Sequence, residues 1–330
     1  ALTDPSYNGQ ILTLTYPLVG NYGIPDLTEV DEDGISKFFE SDMMQIRGLV
    51  VHELSQTASH WNLKMTLDEW MYNEKVPGIS GIDTRAITKK ITSSGVMMAA
   101  LVVSDEQIDV EKIKKELTNV TKYNSEKFMD IVSTKEEKIY GDDNQSVVVI
   151  DTGAKNAIVR NIRELGYKAI VVPWNTPFDK VMSYNPKGVV LSSGPGDPQN
   201  CPETIDTAKK LIENNIPTLG ICLGAQIIGI AGNTETYKLK YGHRGQNKPC
   251  INLETNQVYV TSQNHGYGIK PESLEQSDFK LWFSNADDNT VEGIKHKTKD
   301  CIAVQFHPEA APGPFDCKYV FDELKKLMER

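Results

Sequence analysis

The sequence predicts an α/β protein of two domains: an N-terminal α+β domain, then a domain with a mainly parallel central sheet flanked by helices. Its 330 residues exceed what a single core usually organises. The segment "STKEEKIYGDDNQ" is polar and poor in apolar residues, as linkers are. After it, short β-branched runs alternate with helical segments, which is typical of a parallel sheet covered on both faces. We therefore expect domains at 1–132 and 146–330, joined by a linker at 133–145.

Strands and helices mix without regular alternation in the first domain. A strand is expected to begin the segment 9–26, and the apolar runs "IRGLVVHEL" (46–54) and "VMMAALVVS" (96–104) predict two buried strands. Thr66 and Glu69 have the spacing of a capping box, so a helix should start there. This first half is therefore α+β.

Two more helices are predicted before the linker. The segment "GIDTRAITKKITSSG" is helical in pattern, and Gly95 stands just past its end. The segment 104–120 is amphipathic, with Ile108, Ile113 and Leu117 on one face and charged residues elsewhere.

The second domain alternates regularly between strands and helices. In chain order the segments are the strand "SVVVID", the helix "AKNAIVRNIREL" ending at Gly166, the strands "YKAIVV" and "GVVLSS", the helix "PETIDTAKKLIENN" and the strand "IPTLGI". Loops that carry function collect at the carboxyl ends of such parallel strands. The last strand leads directly into Cys222.

Composition excludes several classes of function. The formal net charge of −10 argues against nucleic-acid binding, which depends on basic surface. No apolar run approaches the roughly 20 residues of a membrane span. The five cysteines form no C-x-x-C pair, so neither a zinc cluster nor a disulfide framework is expected, and a reducing, cytoplasmic location is favoured. No metal site is predicted.

Cys222 is the candidate nucleophile. It lies in "GICLGAQ", where Gly220 and Gly224 flank it in the Gly-x-Cys-x-Gly spacing of a nucleophile elbow. The following "AQIIGIAG" is a short helix in pattern, and a helix N-terminus favours a thiolate. An inert, packed cysteine is the alternative interpretation.

His307 and Glu309 are the candidate base and its orienting carboxylate. The apolar run "CIAVQFHPE" predicts a buried strand that ends at these residues, and positions 307 and 309 face the same way on an extended backbone. Together with a cysteine they would form a Cys–His–acid triad. A strand-end histidine beside a solvated glutamate is the alternative. The remaining histidines with no comparable partner are interpreted as structural or surface residues: His52, His60, His243 and His296.

Two further segments supply candidate binding groups. In "LSSGPGDPQN", Gly194 and Gly196 free the backbone to direct N–H groups at an oxyanion, although a simple turn explains the pattern equally well. A dinucleotide-binding loop is not predicted, because the third glycine of its motif is missing. In "TSQNHGYGI", a predicted polar loop after the strand "QVYV", Asn264, Gly266 and Tyr267 carry groups that hydrogen-bond a zwitterion.

The segments "GICLGAQ", "SSGPGDP" and "QFHPE", in this arrangement, resemble the three signature segments of the class I (triad) glutamine amidotransferases. The first half of the sequence resembles one particular family within this class. "LTDPSYNGQILTLTYPLVGNYGI" and "GISGIDTRAITKKI" are similar to the N-terminal domain of carbamoyl-phosphate synthetase small subunits, and "YGHRGQNKPC" resembles their amidotransferase half. The resemblance implies the class I amidotransferase fold for 146–330. It also implies that the first strands of the N-terminal domain are lacking from this sequence.

The resemblance implies a reaction and a set of site residues. Cys222 would attack the glutamine side-chain amide and form a γ-glutamyl thioester, with His307 as base and then acid and Glu309 holding the imidazole. The implied glutamine contacts are Ser6, Gly194, Gly196, Leu223, Gln226, Asn264, Gly266 and Tyr267. Ser6 would come from the first domain. The family usually has histidine where this chain has Ala225, and we expect hydrolysis to survive that difference.

A partner is also implied. In the family, ammonia passes to a large synthetase subunit that uses bicarbonate and ATP with Mg²⁺ to make carbamoyl phosphate for arginine and pyrimidine synthesis. No cofactor is expected in this chain, and it contains no P-loop. Two alternatives stay open at this point: a noncatalytic scaffold or regulatory subunit, and a stand-alone amidase.

Overall fold

The computed structural model describes residues 1–330, which divide into two compact units, Ala1–Glu126 and Lys127–Arg330. The division falls before the segment 133–145 that the sequence predicts as a linker. That segment contains a short strand, Lys138–Tyr140, paired antiparallel with Lys168–Pro173 of the second unit. Three residues suffice for such a pairing because the neighbouring strand supplies the hydrogen-bond partners.

The first unit contains short strands and three helices. In chain order these are β1 (Ile11–Thr13), β2 (Leu18–Val19), β3 (Gly48–Val50), β4 (Glu53–Leu54), α1 (Leu67–Glu74), β5 (Gly78–Ile79), α2 (Thr84–Ser94) and α3 (Val110–Asn119). Strands β1, β3 and β5 form one parallel sheet, and β2 pairs with β4. The core includes Ile46, Leu49 and Trp70.

Local sequence signals placed two of these helices correctly. The Thr66 side chain accepts a hydrogen bond from the Glu69 N–H while the Glu69 carboxylate accepts one from the Thr66 N–H, so the predicted capping box is confirmed. Helix α2 ends at Gly95, whose φ of 86° lies in the region that favours glycine. Helix α3 begins later than predicted, after the cap Asp109, and none of its residues is buried.

The prediction of a buried strand at 96–104 is wrong. The segment has no regular secondary structure, and most of its side chains are exposed. An apolar run forms a strand only where a neighbouring strand offers hydrogen-bond partners, and no strand of the structure pairs with this one.

The second unit is built around one ten-stranded sheet. Its elements in chain order are α4 (Met129–Val132), β6 (Lys138–Tyr140), β7 (Ser146–Asp151), α5 (Asn156–Glu164), β8 (Lys168–Pro173), α6 (Phe178–Met182), β9 (Gly188–Leu191), α7 (Pro202–Glu213), β10 (Thr218–Ile221), α8 (Leu223–Ala231), β11 (Thr236–Asn252), β12 (Gln257–Ile269), β13 (Phe279–Asn285), β14 (Val291–His296), β15 (Cys301–Val304) and α9 (Val320–Met328).

The centre of this sheet is parallel and its edges are antiparallel. The strand order is β12-β11-β13-β14-β15-β10-β9-β7-β8-β6, and the five strands from β15 to β8 run parallel to one another. Every residue of β7, β9, β10 and β15 is buried, as expected for strands covered on both faces. The predicted α/β class is confirmed.

The predicted polar loop 261–269 is a strand. It forms the second half of β12, which pairs antiparallel with β11 along most of its length. The pairing shifts register between Lys238 and His243 and again between Gly245 and Lys248. Each irregularity locally interrupts the ladder of hydrogen bonds between the two strands. Polar residues in this strand hid it from pattern analysis.

No helix in the structure is long and apolar enough to cross a membrane.

Candidate active site

Cys222 occupies a strained turn between β10 and α8. Its φ of 53° and ψ of −104° are unusual for a residue with a side chain. The turn is held on both sides, because the Cys222 N–H donates to the Val304 carbonyl at 2.9 Å and its carbonyl accepts from the Gln226 N–H at 3.2 Å. The side chain is 2% exposed. The prediction of a strand-to-helix elbow at this residue is confirmed.

The two flanking glycines permit close backbone approach. A Cβ on Gly224 would lie 2.1 Å from the backbone oxygen of Leu191 on the neighbouring strand β9. A Cβ on Gly220 would lie 2.7 Å from the Gly224 oxygen. Both values are far below an ordinary contact, so only glycine fits. The Gly-x-Cys-x-Gly spacing is therefore what allows α8 to begin directly over the sheet.

His307 and Glu309 follow β15, the strand paired with β10, and lie close together. The Nδ1 atom of His307 is 2.6 Å from the Glu309 Oε1 atom, and both residues are 3% exposed. The His307 N–H donates to the Ser262 carbonyl at 2.9 Å, which anchors the segment to β12. Because β10 and β15 are parallel, their carboxyl ends bring Cys222 and this pair to the same edge of the sheet.

A buried lysine that sequence reasoning missed completes the charge arrangement. The Lys155 Nζ atom lies 3.1 Å from the Glu309 Oε1 atom, and its side chain is 7% exposed. It stands just before α5, at the carboxyl end of the parallel strand β7. Its position after a buried strand was the available signal, because such strand ends meet at one edge.

The electrostatics favour a charged histidine and a charged glutamate. Burial opposes ionisation of Glu309, but the charges of Lys155 and His307 lower its pKa to about 2. Burial likewise opposes a charged His307, but the Glu309 carboxylate and the Cys222 sulfur raise the pKa of His307 to about 10. The His307 Nε2 atom, on the side away from Glu309, makes no aligned hydrogen bond. This ring nitrogen is therefore available for proton exchange.

The other four cysteines lie in different surroundings. Burial raises the pKa of the thiols of Cys201, Cys250, Cys301 and Cys317. They stay protonated at neutral pH and are poor nucleophiles. Cys222 instead lies at the N-terminus of α8, where the first N–H groups of the helix have no acceptor within it.

Three of the predicted glutamine contacts, Leu223, Gln226 and Asn264, lie beside Cys222. Leu223 is the first residue of α8, and its N–H has no acceptor within the helix. Gln226 lies one turn further along the same helix. The Asn264 carbonyl lies 3.9 Å from the Cys222 Sγ atom. Both side-chain polar atoms of Asn264 are buried without a hydrogen-bond partner. A buried amide left unpaired is costly. The predicted contact of Asn264 with glutamine stays a prediction.

The glycine loop after β9 lies beside the elbow. A Cβ on Gly194 would lie 3.0 Å from the Leu223 side chain and 1.9 Å from the Thr152 carbonyl oxygen. Gly196 has a φ of 96°. Their predicted contact with substrate, like those of Gly266 and Tyr267 in β12, stays a prediction.

Ser6 belongs to the first unit. It lies in a 3₁₀ turn, Pro5–Tyr7, and its buried hydroxyl makes no hydrogen bond. Its predicted contact with glutamine stays a prediction.

A second buried polar cluster lies in the second unit. His243, His265 and Glu292 offer nitrogen and oxygen atoms within 4.8 Å of one another, a set that has the chemistry to hold a cation. The groups already bond one another: His243 Nδ1 lies 3.3 Å from Glu292 Oε1, and Gln263 donates to the other Glu292 oxygen at 3.0 Å. We interpret the cluster as a hydrogen-bonded network. The absence of a metal from this protein stays a prediction.

Comparison with known proteins matches each half of the chain to a family. The family described as "Glutamine amidotransferase class-I" matches residues 148–327, and "Carbamoyl-phosphate synthase small chain, CPSase domain" matches residues 1–101. The chain is 45% identical to the carbamoyl phosphate synthase small chain of Pyrococcus furiosus, covering 100% of this chain and 88% of the relative. The chain is also 44% identical to the carbamoyl phosphate synthase small chain of Methanopyrus kandleri, covering 98% of this chain and 87% of the relative.

The fold and the site define a class I glutamine amidotransferase domain in the second half of the chain. With the first half matched as well, the chain belongs to the carbamoyl phosphate synthase small chain family. The resemblance drawn from the sequence is thereby confirmed.

Proposed function

We propose that this chain is the glutaminase subunit of a carbamoyl-phosphate synthetase. It hydrolyses glutamine to glutamate and ammonia, and a large partner subunit combines the ammonia with bicarbonate at the expense of ATP. One observation carries the proposal: Cys222, in a strained elbow, shares a sheet edge with the buried His307–Glu309 pair. The family membership is consistent with it.

The geometry supports a two-step acyl transfer. The Cys222 thiolate attacks the side-chain carbonyl carbon of glutamine, and the resulting oxyanion accepts hydrogen bonds from the Leu223 N–H and the loop of Gly194 and Gly196. Protonated His307 gives its Nε2 proton to the departing nitrogen as the C–N bond breaks. Ammonia leaves, and a γ-glutamyl thioester remains on Cys222.

Water then completes the cycle. His307, now neutral, accepts a proton from water as its oxygen attacks the thioester carbon, and the C–S bond breaks to release glutamate. Glu309 keeps the ring oriented and stabilises its charged form throughout, since the two are 2.6 Å apart. Lys155 keeps Glu309 ionised during both steps.

Substrate recognition would use the unpaired amide of Asn264 together with Gln226, Gly266 and Tyr267, and Ser6 is added by family resemblance. ATP and Mg²⁺ would bind the partner subunit, and no cofactor is needed for the hydrolysis itself. We place the enzyme in the cytoplasm, where reduced cysteines persist.

Two other functions are less well supported. A noncatalytic scaffold would not need a strained cysteine beside a buried histidine–carboxylate pair, because strain of this kind persists where function requires it. A stand-alone amidase leaves the matched N-terminal domain at 1–101 without a role.

The test is carbamoyl phosphate formation by the chain reconstituted with its large subunit. Cys222→Ser should lose glutamine-dependent synthesis by at least about 10³-fold, while synthesis from added ammonia stays unchanged. Cys301→Ser is the matched control, since Cys301 begins β15 at the opposite end of the strand from His307. It should retain glutamine-dependent activity.

Equal glutamine-dependent rates for Cys222→Ser and the wild type would favour the scaffold. Full glutaminase turnover by the isolated chain, unchanged when the large subunit is added, would favour the stand-alone amidase.

A further inference from the structure

The sulfur of Cys222 has a polar neighbour outside the triad. The Gln305 Nε2 atom lies 3.7 Å from the Cys222 Sγ atom and is positioned to donate a hydrogen bond to it. Both side chains are 2% exposed, so no solvent competes for the contact. Gln305 follows β15 directly, two residues before His307. It is the first residue of the segment "QFHPE".

Neighbouring groups determine which end of the Gln305 amide faces the sulfur. The Tyr267 carbonyl can only accept, so the Gln226 atom 2.9 Å from it must be the donor Nε2. The same Gln226 Nε2 atom lies 3.0 Å from Gln305, which must therefore present its Oε1 atom. The Gln305 Nε2 atom is then left to face Cys222. The orientation follows from a backbone carbonyl, which cannot be reversed.

A second donor fixes the same carbonyl. The His265 Nδ1 atom lies 2.8 Å from the Tyr267 oxygen, so that oxygen accepts from both His265 and Gln226. The Tyr267 backbone is thereby held on β12, and the chain of amides starts from a rigid point. Successive hydrogen bonds therefore connect the strand to the sulfur, from Tyr267 through Gln226 and Gln305 to Cys222.

An N–H donor and a carbonyl acceptor act oppositely on a cysteine. The Asn264 carbonyl, 3.9 Å from Sγ, accepts only from a protonated thiol. The Gln305 N–H stabilises the thiolate, because a hydrogen bond to an ionised acceptor is roughly twice as strong as a neutral one. Burial strengthens that contact further.

We propose that Gln305 is a catalytic residue that stabilises negative charge on the Cys222 sulfur through its Nε2–H, with Gln226 as the positioning residue that fixes its amide. This proposal adds a residue to the glutaminase mechanism proposed above. The catalytic role of Gln305 therefore rests on that proposed function. The hydrogen bond itself concerns only the resting sulfur, so it is measured without glutamine.

The experiment follows alkylation of Cys222 by iodoacetamide in the full chain between pH 5 and 9, quantified by mass spectrometry of the peptide that contains Cys222. Gln305→Met keeps the side-chain length and removes the donor. Its alkylation rate at pH 7 should fall about tenfold, the fold-change that a hydrogen bond to a charged group corresponds to. The midpoint of the pH profile should move to higher pH. Gln305→Glu keeps the shape of the side chain, replaces the donor with an oxygen, and should be slower still.

A second comparison separates Gln226 from Gln305. Gln226→Met should slow alkylation in the wild-type background but add nothing in the Gln305→Met background, because Gln226 acts on the sulfur only through Gln305. Circular dichroism melting curves show whether each variant is folded. Should Gln305→Met fail to fold, Gln305→Glu provides the same readout with a nearly identical volume.

Alkylation profiles of Gln305→Met and Gln305→Glu that coincide with the wild type would overturn the proposal. So would additive effects of the Gln226 and Gln305 substitutions. The proposed function can fail independently of this hydrogen bond. If the wild-type complex released no glutamate, the glutaminase assignment would be refuted. If alkylation of Gln305→Met were nevertheless slower than that of the wild type, the hydrogen bond would still be supported.

Discussion

Replacing Gly224 with alanine should disable the site without touching a reacting group. The new Cβ would lie 2.1 Å from the Leu191 backbone oxygen, and an ordinary contact begins at 3.4 Å, so backbone must move by about 1.3 Å (3.4 − 2.1). The nearest atoms belong to the backbone of β9, a buried strand that cannot yield cheaply. The displacement therefore falls on the elbow, two residues from the sulfur.

The magnitude follows from that displacement. Misplacing a reacting group by about 1 Å costs roughly 100-fold in rate, so kcat for glutamate release should fall at least that far. Overpacking of this kind also lowers the free energy of unfolding by about 1–3 kcal/mol. The Gly224 N–H, which donates to the Ser192 carbonyl at 3.0 Å, should lose that bond.

The assay is glutamate release by the reconstituted complex, with kcat and KM determined separately, beside thermal unfolding of the chain. Gly268→Ala is the matched control. Its Cβ would meet nothing closer than a Tyr237 ring carbon at 3.6 Å, an ordinary contact. We expect the control to keep kcat within about threefold of the wild type, since its backbone need not move.

A Gly224→Ala enzyme with wild-type kcat would refute the reasoning. It would show either that the elbow tolerates a shift of this size or that Cys222 is not the nucleophile. Equal losses for Gly224→Ala and Gly268→Ala would instead show that β-carbon contacts do not decide the effect.

Two further predictions concern stability. Burial, together with the charge of His243, lowers the pKa of His265 from 6.5 to about 3, so below pH 6.5 the unfolded chain binds a proton that the folded chain does not. The free energy of unfolding should then decline by up to about 1.4 kcal/mol per pH unit as pH falls from 6.5 towards 3. Chemical denaturation at a series of pH values should show a shallower decline for His265→Asn than for the wild type. Equal slopes for the two proteins would contradict the lowered pKa of His265. Thr66→Ala should lower the free energy of unfolding of the first unit by about 1 kcal/mol through loss of the helix cap. Thr66→Ser should restore most of it, and a melting temperature unchanged in Thr66→Ala would count against the capping box.

Sequence patterns located the elements whose signals are local. The capping box of Thr66 and Glu69 and the end of α2 at Gly95 depend on a few adjacent residues, and both are present. The buried parallel strands were recognisable because burial on both faces makes them continuously apolar. The wrong strand at 96–104 shows the limit, since a strand requires a partner that no local pattern reveals.

The same limit explains what pattern analysis missed in the site. Lys155 lies far along the chain from Glu309, and nothing in its local sequence indicates a 3.1 Å ion pair. The second half of β12 is polar in sequence, so it resembled a loop. Residues chosen for chemistry often break the patterns by which structure is predicted.

By itself, the sequence determined the α/β class and the family, and it singled out Cys222, His307 and Glu309 as the candidate nucleophile, base and carboxylate, because each depends on short segments of adjacent residues. Only the tertiary structure decided that β7, β9, β10 and β15 end at one edge, which brings Cys222, Lys155 and His307 together. It also decided the direction of the Gln305 amide, because that direction is set by hydrogen bonds between residues distant in the chain.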